Sequence, residues 1–232
     1  MIYVSLFLVS FLSGLLVFYK EQTFHKLIPS MLSFSGAYLI GICFLHLLPE
    51  LFMHDFEQTG LFLLIGFFLQ LVLDYFSGGI EHGHLHLQKQ TGKFPFLIFL
   101  SLSMHAFLET FPLIEINQKQ GVSSFFLGLI IHKAPIAFIL TFFLFKQGVK
   151  KKLIILTLIL FSLFGPLGAL LGNLLDAMSI YFQPFFALSI GIILHLATTI
   201  LIENNEQHQI QWKKVTPLFL GVLLALSSLL FH

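Results

Sequence analysis

A few side chains able to do chemistry stand inside stretches that are otherwise apolar. They are His46 in "GICFLHLLPEL", His105 and Glu109 in "SMHAFLETFP", His132 and Lys133 in "LGLIIHKAPIAFIL", and His195 in "IGIILHLATTI". On a helix, residues four apart project from one face about one turn from each other, so His105 and Glu109 form a chelating pair. An imidazole and a carboxylate are borderline ligands suited to zinc and its first-row neighbours, and a further ligand must come from another helix. His132 is the obvious donor, His46 is a candidate fourth, and water can complete the set. Pro49, Pro112 and Pro135 each follow a candidate ligand by three residues. Proline inside a helix disrupts the bond to the carbonyl four residues back, so bends are expected beside these ligands.

The elements that must position these groups are membrane spans. The chain has 232 residues, 57% hydrophobic and only 10% charged, with 30 phenylalanines. Soluble domains carry about 25% charged residues, so this is an integral membrane protein. Crossing a hydrocarbon core of ~30 Å as helix takes about 20 apolar residues. Eight such segments are present, at 2-19, 30-52, 60-79, 94-116, 121-145, 153-175, 180-202 and 215-231. They form a single transmembrane domain, and the first reads as a retained span because it lacks a basic leader and a small-residue cleavage site. One cysteine, Cys43, allows no disulfide within the chain, and the net charge of +1 gives no sign of nucleic-acid binding.

All twelve basic residues are lysine. Assigning connections alternately to the two membrane sides puts Lys20, Lys26, Lys89, Lys93, Lys146, Lys150, Lys151, Lys152, Lys213 and Lys214 on one side and Lys119 on the other. The positive-inside rule makes the lysine-rich side cytoplasmic, which places both termini outside. The outer side carries Asp55, Glu57, Glu115 and Asp176, with Glu50 closing segment two. An acidic mouth of this kind either focuses cations or is an ordinary solvated rim. Ionisable groups within spans mark pathways or sites by default. Lys133 is too central in its segment to snorkel well. His195 and Asp74 either line the pathway or are satisfied by a neighbouring helix. His82, His84 and His86 form a cytoplasmic H-x-H-x-H tract that captures metal or is a flexible polar loop.

Taken together, "HLLPE" at segment two, the histidine-bearing loop "EHGHLH", "HAFLE" in segment four, "IIHKAPIAF" in segment five and "GPLGALLG" in segment six resemble the ZIP (Zrt/Irt-like protein) family of divalent metal transporters. The resemblance covers essentially the whole chain. It implies an all-α bundle of eight transmembrane helices in a 3+2+3 arrangement, with segments one to three related to six to eight by an inverted repeat. It also implies a primary metal site of His105, Glu109 and His132. His46, Glu50, Lys133, His195 and Asp176 are, from their places in the chain, candidates for additional ligands or pathway residues.

Many members of the family hold a second metal beside the first, and there the sequence departs. The positions that would supply its ligands are Ala106, Lys133, Ile136 and Gly165. The "HK" branch of the family, which resembles this chain in segment five, carries the same lysine. Lys133 then stands where a second ion's charge would be and partners Glu109, sparing a buried unpaired charge. The resulting expectation is uptake of a divalent metal, zinc first and Cd2+, Fe2+ or Mn2+ as other candidates, as cargo rather than cofactor. The membrane is the plasma or bacterial inner membrane, and the partners are the ion and the bilayer, with a homodimer also considered. The competing expectation is an intramembrane zinc-dependent hydrolase, in which an open coordination position activates water.

Overall fold

A computed structural model describes residues 1–53, 57–82, 94–113, 124–176, 182–203 and 212–231. All regular structure among them is helical: α1 (Ile2–Leu15), α2 (Val17–Ile42), a π-helical turn (Cys43–Leu47), α3 (Leu48–Met53), α4 (Thr59–Ser77), a 3-10 turn (Ile80–His82), α5 (Phe96–Leu108), α6 (Ser124–Lys146), α7 (Lys151–Asp176), α8 (Phe182–Glu203) and α9 (Trp212–Ser227), ending in a 3-10 turn at Ser228–Phe231. Six of these segments are long and apolar enough to cross a membrane: Ile2–Tyr19, Lys26–Met53, Thr59–Ser77, Ser124–Lys146, Lys151–Leu175 and Phe182–Leu201. Phe96–Leu108 and Val215–Ser227 are apolar but shorter.

The short fourth segment has a local cause. Pro112 has no N–H to return to Leu108, and proline disfavours helical backbone in the residue before it. The last regular bond runs from the N–H of Glu109 to the carbonyl of His105, after which Phe111 and Leu113 make tighter bonds to Leu108 and Thr110. Segment two is interrupted in a similar way. The N–H of Leu48 bonds the carbonyl of Cys43, five residues back, and His46 lies inside this π turn just ahead of Pro49. Such turns are rare and concentrate at functional positions. Pro135, by contrast, is accommodated within an unbroken α6.

Most of α6 is buried, whereas α1 and α4 turn much of their length outward. The outward faces carry Leu8, Leu12, Leu61, Leu64, Phe68 and Leu71, as suits a surface solvated by lipid. α6 packs against α1 and α2, α5 against α7, α4 against α8, and α2 against α9. The hydroxyl of Tyr38 on α2 donates to the carbonyl of Ser124, 2.8 Å away, and pins the start of α6. In "GPLGALLG", Gly168 and Gly172 face α5 and the turn that follows it. A Cβ at Gly168 would run into the carbonyl oxygen of Phe107, so only glycine lets α7 approach the broken end of α5. Thr110 Oγ1 lies 2.9 Å from the carbonyl of Gly165 and closes the same contact. Thr110 therefore ties the segment-four break to α7.

Candidate metal centre

His105 and Glu109 lie where α5 ends, and His132 faces them from α6. All three are buried, at 1%, 1% and 0% exposure. One ligand atom from each lies within 4.8 Å of the others. His105 Nε2 and Glu109 Oε2 are 3.3 Å apart, and the two imidazole rings stand edge to face with centroids 6.0 Å apart. Tetrahedral zinc with bonds of about 2.1 Å holds its ligand atoms about 3.4 Å apart. Among the described residues, His105 Nε2, Glu109 Oε2 and His132 Nε2 are each without a hydrogen-bond partner. A buried unsatisfied polar group costs about 1–3 kcal/mol, so three of them on residues that bring ligand atoms this close together fit a cation as their common partner.

The opposite atom of each of these groups is engaged. His105 Nδ1 is 3.0 Å from Gln70 Oε1, and His132 Nδ1 is 3.4 Å from Ser35 Oγ. Glu109 Oε1 accepts from Lys133 Nζ at 2.5 Å, and the same ammonium lies 3.2 Å from the carbonyl of Ala106. Lys133 is only 2% exposed, so its charge is spent within the bundle. A Cβ at Gly165 would sit 3.1 Å from that ammonium. Ala106 and Gly165 thus border Lys133 directly.

The other candidates fall elsewhere. His46 Nε2 is 2.7 Å from Ser228 Oγ, and His46 is not part of the three-residue cluster. Glu50 is partly buried in α3. His195 Nε2 and His82 Nε2 both reach Asp74 Oδ2, at 2.9 and 3.0 Å. Asp74, Glu81 and His82 form the second group among the described residues that could hold a metal. His82 is therefore a buried, hydrogen-bonded side chain, 5% exposed, rather than part of a flexible tract. His84 and His86 lie outside the described residues, as does the side chain of Asp176. Burial pushes the Glu81 carboxyl well above its ordinary range, and the neighbouring Asp74 carboxylate adds to the rise.

Gln70, Ser35 and Glu81 escape a search for ionisable groups within spans. Gln70 and Ser35 are neutral, and Glu81 sits past the end of α4. One signal was available: Gln70 precedes Asp74 by four residues, which puts two costly polar groups on one face of an apolar helix.

The family model of the ZIP zinc transporter matches residues 88–228, more than half of the chain. The chain belongs to the ZIP family. No curated protein matches it closely enough to serve as a named relative. The ZIP match takes in α5 and α6, and hence His105, Glu109, His132 and Lys133. ZIP proteins move divalent metal ions, so membership together with the apolar helices makes this a multi-pass membrane protein of metal ion transport, with the metal as substrate.

Proposed function

We propose that this ZIP protein takes up zinc into the cytoplasm through a single-metal site formed by His105, Glu109 and His132. The observation that carries the reading is that these three buried residues bring ligand atoms within 4.8 Å of one another at the break in α5, each with one atom unpartnered among the described residues. Two imidazoles and a carboxylate suit zinc and also accept Cd2+, Fe2+ or Mn2+. Lys133 replaces the second metal of two-metal relatives, as in the "HK" branch: its ammonium neutralises Glu109 beside Ala106 and Gly165, where further carboxylates would be needed.

The proposed architecture is one transport domain of eight spans, 3+2+3, with both termini outside, in a plasma or bacterial inner membrane, and with a homodimer as the candidate assembly. The helix neighbours support the repeat. Exchanging segments one, two, three and four with six, seven, eight and five turns the pair α4·α8 into α9·α2, and α1·α6 into α7·α5, while α1·α7 maps onto itself. Inverted repeats of this kind support alternating access. The ten-lysine face is the cytoplasmic one. His46, Glu50, Asp176 and His195 would then lie along the route, with His82, His84 and His86 near its inner end. An intramembrane hydrolase is not favoured, since it needs an uncommitted acid and Asp74 is held by Gln70, His82 and His195.

Purified protein in liposomes loaded with a zinc-sensing dye provides the test. Zinc entry is expected in the wild type and lost in His105→Ala, Glu109→Gln and His132→Ala. It should also weaken as the outer solution is acidified, because zinc ligands must be unprotonated. Undiminished uptake in the three variants would overturn the site, and metal-dependent hydrolysis without uptake would overturn the function.

A further inference from the structure

Gln70 is fully buried on α4, between the metal centre and the Asp74 group. Its amide nitrogen is 2.5 Å from Asp74 Oδ1 and 3.5 Å from Glu81 Oε1, and its carbonyl oxygen is 3.0 Å from His105 Nδ1. The other oxygen of Asp74 is engaged by His82 and His195. An ionised carboxylate only accepts hydrogen bonds, so the amide must present its NH2 to Asp74 and its oxygen to His105. An amide oxygen also only accepts, so neutral His105 must carry its proton on Nδ1. Nε2 is then left as the lone pair, and this is the nitrogen that faces Glu109 and lacks a partner.

The other tautomer would matter. With the proton on Nε2, His105 would be set to donate to Glu109 Oε2, 3.3 Å away, tying up two ligand atoms in one hydrogen bond. We propose that Gln70, anchored by Asp74, is a positioning residue that holds His105 in the tautomer with Nε2 as the metal-facing donor. The relay runs carboxylate, amide, imidazole, and it crosses from α4 to α5. The inference rests on the reading of His105, Glu109 and His132 as the transport site, but the tautomer belongs to the chain itself and can be measured without metal.

The experiment uses the full chain in nanodiscs with 15N-labelled histidine, whose ring-nitrogen resonances report which nitrogen is protonated. The His105 signal is assigned by its loss in His105→Gln. Wild type treated with a chelator should show the proton on Nδ1. In Gln70→Leu the proton should move wholly or partly to Nε2, and the Kd for zinc should rise about 10- to 100-fold, the usual cost of losing an outer partner of a metal ligand. Gln70→Glu, protonated, can accept from His105 and donate to Asp74, and should restore both the wild-type tautomer and the wild-type Kd. A proton on Nε2 in the wild type would overturn the proposal, even if Gln70→Leu failed to fold. So would a Gln70→Leu protein with unchanged tautomer and zinc affinity. A wild type that shows the Nδ1 proton but binds no zinc would defeat the metal-site reading and leave the tautomer assignment standing.

Discussion

Replacing Lys133 with methionine keeps most of the length and volume of the side chain and removes its charge. Glu109 Oε1 then loses the ammonium at 2.5 Å, and the carboxylate stays buried at 1% exposure. Removing one partner of a buried ion pair costs about 3–5 kcal/mol, because an uncompensated charge is left behind. For a chain of this length each kcal/mol moves the melting temperature by about 2–4 °C, so Lys133→Met should melt about 6–20 °C lower. Two controls sharpen the test. Lys133→Met combined with Glu109→Gln removes both charges and should recover most of the loss, since replacing both partners of such a pair is often neutral. Zinc should raise the melting temperature of Lys133→Met more than that of the wild type, because the cation supplies the charge that the lysine no longer provides. Thermal unfolding in detergent, with and without zinc, measures all three. Melting of the single variant at the wild-type temperature, or a double variant no better than the single, would refute the account of Lys133.

Lys133→Asp with Gly165→Glu places acids where the two-metal members have them, and elemental analysis should find one more equivalent of zinc per chain than in the wild type. Gly168→Ala drives a Cβ into the carbonyl oxygen of Phe107 and should cost about 1–3 kcal/mol of stability as overpacking; zinc uptake should fall with it because the break that carries Glu109 moves. Glu81 has a raised carboxyl, so above its ordinary value of 4.5 the folded state keeps a proton that the unfolded chain releases. Stability should therefore fall as pH rises through that window, and melting temperatures compared between about pH 5 and pH 8 should decline less in Glu81→Gln.

Much of the helical framework is legible because lipid demands long apolar runs, and a charged or imidazole side chain inside one stands out. The i, i+4 spacing of His105 and Glu109 gives their shared face, and the centrality of Lys133 in its segment points to a partner within the bundle. Pro112 signals a bend beside Glu109, yet the extent of the break depends on how Thr110 and Gly168 join α5 to α7, which is tertiary. From its place in segment two, His46 is a candidate fourth ligand. Its pairing with Ser228 follows from the packing of α2 on α9, between residues far apart in the chain. His82 reads as a loop residue from its neighbours in "EHGHLH", but the 3-10 turn after α4 folds it back onto Asp74. Gln70 is silent in a charge-based reading because its role comes only from what lies on either side of its amide.

In the proposed site a single metal is held by His105, Glu109 and His132, with an ammonium in place of a second ion. A structure of the zinc-soaked protein, with anomalous scattering recorded at the zinc edge, tests it most directly. One peak is expected among His105 Nε2, Glu109 Oε2 and His132 Nε2, and none beside Lys133. Two adjacent peaks there, or no peak among these three atoms, would contradict it.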